Sequence, residues 1–239
     1  IEYSLFIALP LSFLIAGLIG VLIERLVIRH LYGRPLETLL ATFGISLFLQ
    51  QLVRSIFSPI NMPVISPQWM SGMFNVHPAL SLSYGRFYIL IFSIIVFIAL
   101  LILLRKSHFG VEIRAVMQNR PMARAMGIKT KWIDSMTFGL GSGIAGIAGV
   151  ALSQITNVGP NLGQSYIIDC FMVVVFGGVG NIWGTLSGAF LLGIGNKFLE
   201  PYSGAVLAKI ITLIFLIIFI QKRPKGMFAL KGRAAEINQ

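Results

Sequence analysis

The sequence predicts an all-α fold, a polytopic bundle of about seven transmembrane helices, on three observations: apolar composition, apolar runs of spanning length, and a one-sided distribution of basic residues. Of 239 residues, 56% are hydrophobic and 11% charged, against roughly 25% charged in an average soluble domain. A water-soluble fold would leave large apolar surfaces with nothing to cover them, so lipid is the solvent the composition suits. The formal charge of +11 would suit nucleic acid in a polar chain. Here the basic residues stand in short clusters between apolar runs, where they orient a membrane protein instead.

A spanning helix needs about 20 mostly apolar residues. In chain order the candidates are 4–28; 38–57, which carries Gln50, Gln51 and Arg54; 87–104; the glycine-rich 135–156; and 206–220. The stretch 166–199 is too long for one pass and is interrupted at Gly177-Gly178-Val179-Gly180-Asn181, so it divides into two helices that either cross fully or re-enter. One transmembrane domain covers 1–233, with a polar tail at 234–239. The opening Ile1-Glu2-Tyr3 has no initiator Met, basic region or cleavage site, and is not read as a signal peptide. The single cysteine, Cys170, is expected to pack within an apolar stretch.

The basic residues test the count. Arg25, Arg29 and Arg34 close the first span, seven residues from Arg105 to Lys131 fill the loop after the third, and Lys222, Arg223, Lys225, Lys231 and Arg233 form the tail. Seven alternating spans put all of these on the cytoplasmic side, leaving only Arg54, Arg86, Lys197 and Lys209 near the outer ends. Outside, the loop 58–86 carries Pro59, Pro63, Pro67 and Pro78 with Trp69 and Tyr84. It is either a docking surface or a solvated connector.

The cytoplasmic loop 105–131 reads as two short helices. Ile113, Val116 and Met117 fall on one face, opposite Glu112, Arg114 and Asn119. Asn119 with Pro121 then opens a second helix that Gly127 stops. The pair either lies on anionic headgroups or docks into another protein; Ala123, Ala125 and Gly127 would let a partner approach the backbone, which favours docking.

In 138–149, small residues recur four apart, as Gly139/Gly143, Ser142/Gly146 and Gly141/Ala145/Gly149, and Gly184/Gly188 repeats the theme. Close helix packing in lipid explains this. Packing does not explain the polar residues Gln154, Asn157, Gln164, Asp169 and Asn181, which flank or interrupt the same spans. They are candidates for a polar pathway; alternatively Asp169 caps a helix near the outer water. No enzyme is expected. His30, His77 and His108 are scattered, no Cys/His pair has metal-ligand spacing, and no nucleophile stands beside a base. There is no phosphate-binding glycine loop, so ATP-driven transport would need a separate ATPase chain.

Three stretches carry a family resemblance: Tyr32-Gly33-Arg34-Pro35-Leu36-Glu37-Thr38-Leu39-Leu40-Ala41-Thr42; Phe109-Gly110-Val111-Glu112-Ile113-Arg114-Ala115-Val116 with Asn119 and Met126-Gly127-Ile128; and Gly139 through Gly184. The chain resembles permeases of the branched-chain amino acid type of ABC importer. Ala151-Leu152-Ser153-Gln154, Asn157-Val158-Gly159-Pro160 and Ser165-Tyr166-Ile167-Ile168-Asp169 are similar to the urea branch. The resemblance implies a multi-pass subunit of a bacterial cytoplasmic (inner) membrane. Its partners would be a second permease, two cytoplasmic ATPases that hold ATP and Mg, and an extracytoplasmic solute-binding protein; this chain itself would bind lipid, no cofactor and no nucleic acid. It makes Glu112, Arg114, Asn119, Ala123 and Gly127 the coupling element resting on an ATPase. It also implies that the chain starts inside the fold, because family members carry further N-terminal helices. The implied solute is urea, with a branched-chain amino acid permease or a passive channel as alternatives. Urea needs amide and carbonyl partners rather than fixed charges, which Gln50, Gln154, Asn157 and Asn181 could supply, with Asp169 as the further pathway candidate.

Overall fold

A computed structural model describes residues 4–64, 72–77, 80–223 and 226–228. The residues before Ser4, Pro67, Trp69, Pro78, and Lys225, Lys231, Arg233 and the tail 234–239 lie outside them. Two compact units divide the chain, Ile1–Pro160 and Asn161–Gln239.

The first unit holds α1 (Ser4–Leu26), a 3-10 turn (Ile28–His30), α2 (Pro35–Ile56), β1 (Met73–His77), β2 (Leu80–Ser83), α3 (Tyr84–Lys106), α4 (His108–Gln118), α5 (Arg120–Ala125) and α6 (Thr130–Ser153). Its frame is the pair α1 and α6. A Cβ added at Gly146 would stand 2.7 Å from the Ser12 carbonyl oxygen, and one at Gly17 would stand 3.2 Å from that of Gly139, so the helices meet backbone to backbone. Only the Gly139/Gly143/Gly146 face is used in this way. Gly141 and Gly149 have nothing within 4 Å among the described residues, so the other small-residue face makes no comparable close approach at those two positions. In α2 and α3 the most apolar stretches bury none of their residues within the chain, which leaves those surfaces to lipid or to another protein.

The outer loop differs from a plain connector. β1 and β2 pair antiparallel, with Met73 opposite Ser83, a short exception to an all-helical chain. The main-chain groups of Met62 and Val158 exchange hydrogen bonds of 2.9 Å in both directions, tying the loop after α2 to the loop after α6.

The second unit holds α7 (Leu162–Gly177) and α8 (Ile182–Lys222). They pack through Gly177 and Gly184, so closely that a Cβ on either would collide with the other's backbone. Met172, Phe176, Leu192 and Leu216 form the core, with Phe176 and Phe219 rings 4.7 Å apart. The 41-residue α8 breaks at Gly204 (φ 76°, ψ 160°), a left-handed conformation that glycine adopts without cost. Each half is long enough for one pass. With α1, α2, α3, α6 and α7 this gives the seven apolar helices the sequence suggests, although α7 spans 16 residues, about 24 Å against a hydrocarbon core of roughly 30 Å. The backbone N–H groups of Met227 and Phe228 return to the carbonyls of Phe176 and Gly177 at 2.9 and 3.3 Å, so the start of the basic tail closes the end of α7.

Candidate functional site

The loop 105–131 is ordered by local chemistry. The Ser107 hydroxyl accepts from the Gly110 amide at 3.1 Å and caps α4. Gly110 lies so near the Leu104 carbonyl that no side chain fits, which turns the chain sharply out of α3. Arg114 donates to that same carbonyl at 2.6 Å, so one of the expected coupling residues holds the end of α3. Asn119 accepts from the Met122 amide at 3.1 Å and caps α5. Gly127 (φ 85°) ends it, with the Ile128 amide reaching back to the Ala123 carbonyl at 3.1 Å, a glycine stop of the Schellman type. Glu112 is half-buried on α4 and makes no ion pair among the described residues.

Ala123 faces inward, only 4% exposed. The surface that α5 and its end turn outward is therefore Pro121, Met122, Arg124, Ala125, Met126 and Gly127, with Met117 exposed on α4. Methionine side chains of this kind adapt to irregular partner surfaces, so the loop has the bulky contacts that its small residues suggested it lacked.

Beneath α5 lies a polar cluster that hydropathy conceals. Glu24, in the last turns of α1, is fully buried. Its carboxylate accepts from the buried Ser135 hydroxyl of α6 and from the Tyr32 hydroxyl at 3.4 Å. The Arg120 guanidinium of α5 lies 4.7 Å from the Tyr32 ring centre and pairs with Asp134 of α6. Arg124 of α5 donates to Thr130 of α6 at 3.0 Å. Burial first, then the negative charges of Asp134 and Glu24, push the Tyr32 phenol up to about 12, so at neutral pH it remains a donor to Glu24. The consequence is mechanical: both arginines of α5 are bonded to the first turns of α6, and α6 in turn is hydrogen-bonded to the end of α1 through Ser135 and Glu24.

No sequence pattern singled out these residues. One signal was available, because an acid within a spanning segment is costly and marks a functional contact by default, and Glu24 and Asp134 both lie at the ends of apolar helices.

The pathway candidates are distributed over both units. In the first, Gln50 donates to Ser46 on α2 at 3.3 Å, Gln154 ends α6 with a buried side-chain oxygen that has no partner among the described residues, and Asn157 is exposed in the following loop. In the second, Asp169 lies mid-helix on α7, not at a cap, and pairs with Lys209 of α8 at 2.9 Å. Asn181 caps α8, accepting from the amides of Trp183 and Gly184 at 3.1 and 3.3 Å, which commits its carbonyl oxygen to the backbone. Cys170 is exposed on α7, not packed.

Comparison with known proteins supplies the family. Residues 2–220 match the family described as the branched-chain amino acid transport system permease component. The chain belongs to this permease family. Among similar proteins, the high-affinity branched-chain amino acid permease protein LivH of Salmonella typhimurium is 29% identical over 224 residues, covering 90% of this chain and 71% of LivH. The corresponding protein BraD of Pseudomonas aeruginosa is 28% identical over 226 residues, covering 92% of this chain and 73% of BraD. The ribose import permease protein RbsC of Bacillus subtilis is 32% identical over a shorter 130 residues, 49% of this chain and 40% of RbsC. No solved structure matches. The permease is thus an ABC importer component and a multi-pass protein of the cytoplasmic membrane, not an enzyme. The urea branch that the sequence suggested finds no support in these relatives, whose names point to branched-chain amino acids and ribose.

Proposed function

We propose that this permease translocates a branched-chain amino acid through an importer driven by separate ATPase chains, with α4 and α5 as the element that receives their motion. The observation that carries the coupling reading is the double tether of α5 to α6 by Arg120–Asp134 and Arg124–Thr130. A push on the exposed Met122/Met126 face cannot be absorbed within α5. It passes to α6, and the glycine-lined seam between α6 and α1 provides a surface along which the helices can shift. ATP and Mg act on the partner ATPases in this scheme; a second permease and an extracytoplasmic binding protein complete the assembly.

The names of the relatives matched over most of the chain and one charged pair support an amino acid as the solute. An amino acid is zwitterionic, and the partly exposed pair Asp169–Lys209 offers both charges in the helical second unit, where a neutral solute would need none. Urea remains the second reading, on the chain's similarity to the urea branch around 151–169 and on the unpaired Gln154 oxygen. Uptake into proteoliposomes bearing the whole importer separates the two. ATP-dependent accumulation of labelled leucine, without urea, is expected. Urea accumulation without leucine would overturn the amino acid assignment, and flux of either solute without ATP would overturn the importer reading.

A further inference from the structure

We propose that a groove between the end of α1 and the α5–α6 junction binds the headgroup of an anionic phospholipid. The groove encloses about 710 Å³, within the usual size of small-ligand sites, and is lined by Arg25, Arg29, Arg124, Lys129, Lys131 and Trp132. No carboxylate lines it. Arg25, Arg29, Lys129 and Lys131 form no ion pair among the described residues, so four cations without a salt-bridge partner line one concavity. Glu24 and Asp134 line the adjoining cavity, which Arg29, Arg124 and Lys131 share, but the hydrogen bonds and the ion pair of the two carboxylates go to Ser135, Tyr32 and Arg120.

The groove's position selects a lipid over a soluble anion. It opens where two apolar spans end, beside a Trp132 that is 48% exposed and suited to the membrane interface. Along α1, the exposed side chains Leu11, Ile15, Leu18 and Leu22 follow at steps of three or four residues, and Arg25 takes the next step on the same face. An acyl chain laid on that stripe brings its phosphate to Arg25, and the cations of the groove surround it. Basic pockets at the cytoplasmic ends of spanning helices bind anionic headgroups on this principle.

Because α5 and α6 both contribute, a bound headgroup would brace the junction through which the proposed coupling passes. The site itself does not depend on that coupling, and neither does its test. The full chain, purified in a neutral detergent, is titrated with dioleoyl phosphatidylglycerol and followed by native mass spectrometry, with dioleoyl phosphatidylcholine and inorganic phosphate as controls. Phosphatidylglycerol is expected to bind at least about tenfold more tightly than phosphatidylcholine. With each cation contributing about fivefold near an anionic lipid, the double variant R25Q/K131Q should bind roughly 30-fold more weakly, whereas R25K/K131R and the off-site K106Q stay near wild type. Wild-type affinity should also fall as NaCl rises from about 50 to 500 mM, a readout that needs no variant to fold. Unchanged binding by R25Q/K131Q, equal affinity for the neutral lipid, salt-independent affinity, or displacement by millimolar phosphate each overturns the lipid assignment. So does loss of an ATPase subunit from the assembled importer in R25Q/K131Q with phosphatidylglycerol binding intact, which would make the groove a protein interface.

Discussion

Gly146→Ala separates close packing from mere glycine content, because α6 carries its own control. A methyl at Gly146 would stand 2.7 Å from the Ser12 carbonyl oxygen and 2.8 Å from the Ala16 Cβ. Both obstacles are rigid parts of α1, so no rotamer change relieves them. Ordinary contact begins near 3.4 Å, so α1 must retreat by roughly 0.7 Å, and overpacking of this size costs about 1–3 kcal/mol. At Gly141, one helical step away from the seam, the same methyl meets nothing within 4 Å. There the change should stabilise by up to about 1 kcal/mol, since alanine holds a helix better than glycine. Unfolding of the purified chain by SDS in mixed micelles, followed by circular dichroism, should therefore place Gly146→Ala and Gly141→Ala on opposite sides of wild type, about 1–4 kcal/mol apart. Equal shifts in the same direction would refute the α1–α6 seam as the frame of the first unit.

Ser135→Ala removes a hydroxyl donor from the buried Glu24 carboxylate and should cost about 1.5–3 kcal/mol in the same titration, the range for hydrogen bonds to charged groups. The Tyr32 phenol, pushed up to about 12, should leave the absorbance at 295 nm of wild type and Tyr32→Phe superimposed until the pH nears that value. Because its folded value lies above the unfolded 10.0, its contribution to stability is complete below about pH 10 and is lost as the pH climbs from there toward 12. Gly127 has open space around it but a φ of 85°, so Gly127→Val should strain the backbone by about 1–2 kcal/mol and speed hydrogen exchange over 123–128, whereas Gly127→Asn, which tolerates that conformation, should stay close to wild type.

What was legible in the sequence was what local pattern encodes. Asn119 and Gly127 mark the start and stop of α5 because capping is decided within a few residues, and 177–181 divides α7 from α8 because a glycine-rich turn needs no distant partner. The break at Gly204 falls between the expected spans 166–199 and 206–220, where Lys197, Glu200, Pro201 and Ser203 interrupt the apolar pattern. By contrast, the Glu24–Ser135 bond between α1 and α6 was illegible. Glu24 and Ser135 stand 111 residues apart, and their pairing follows from the seam between α1 and α6, which no periodicity specifies. Ala123 differs from Ala125 and Gly127, which are exposed. Its small size suggested a docking contact, but smallness suits an inward face equally well, and the exposed methionines beside it are what a partner would meet.

The central claim is that α5 receives the ATPase and passes its motion to α6. Crosslinking from Met126, which is 77% exposed, tests it most directly. In the assembled importer, Met126→Cys on a Cys170→Ser background, treated with a short thiol-reactive photo-crosslinker, should join the ATPase subunit. The yield should change on adding ATP, and Asp134→Asn should abolish ATP-dependent solute uptake while leaving that crosslink in place. Absence of any crosslink to the ATPase, or full uptake in Asp134→Asn, would contradict the account.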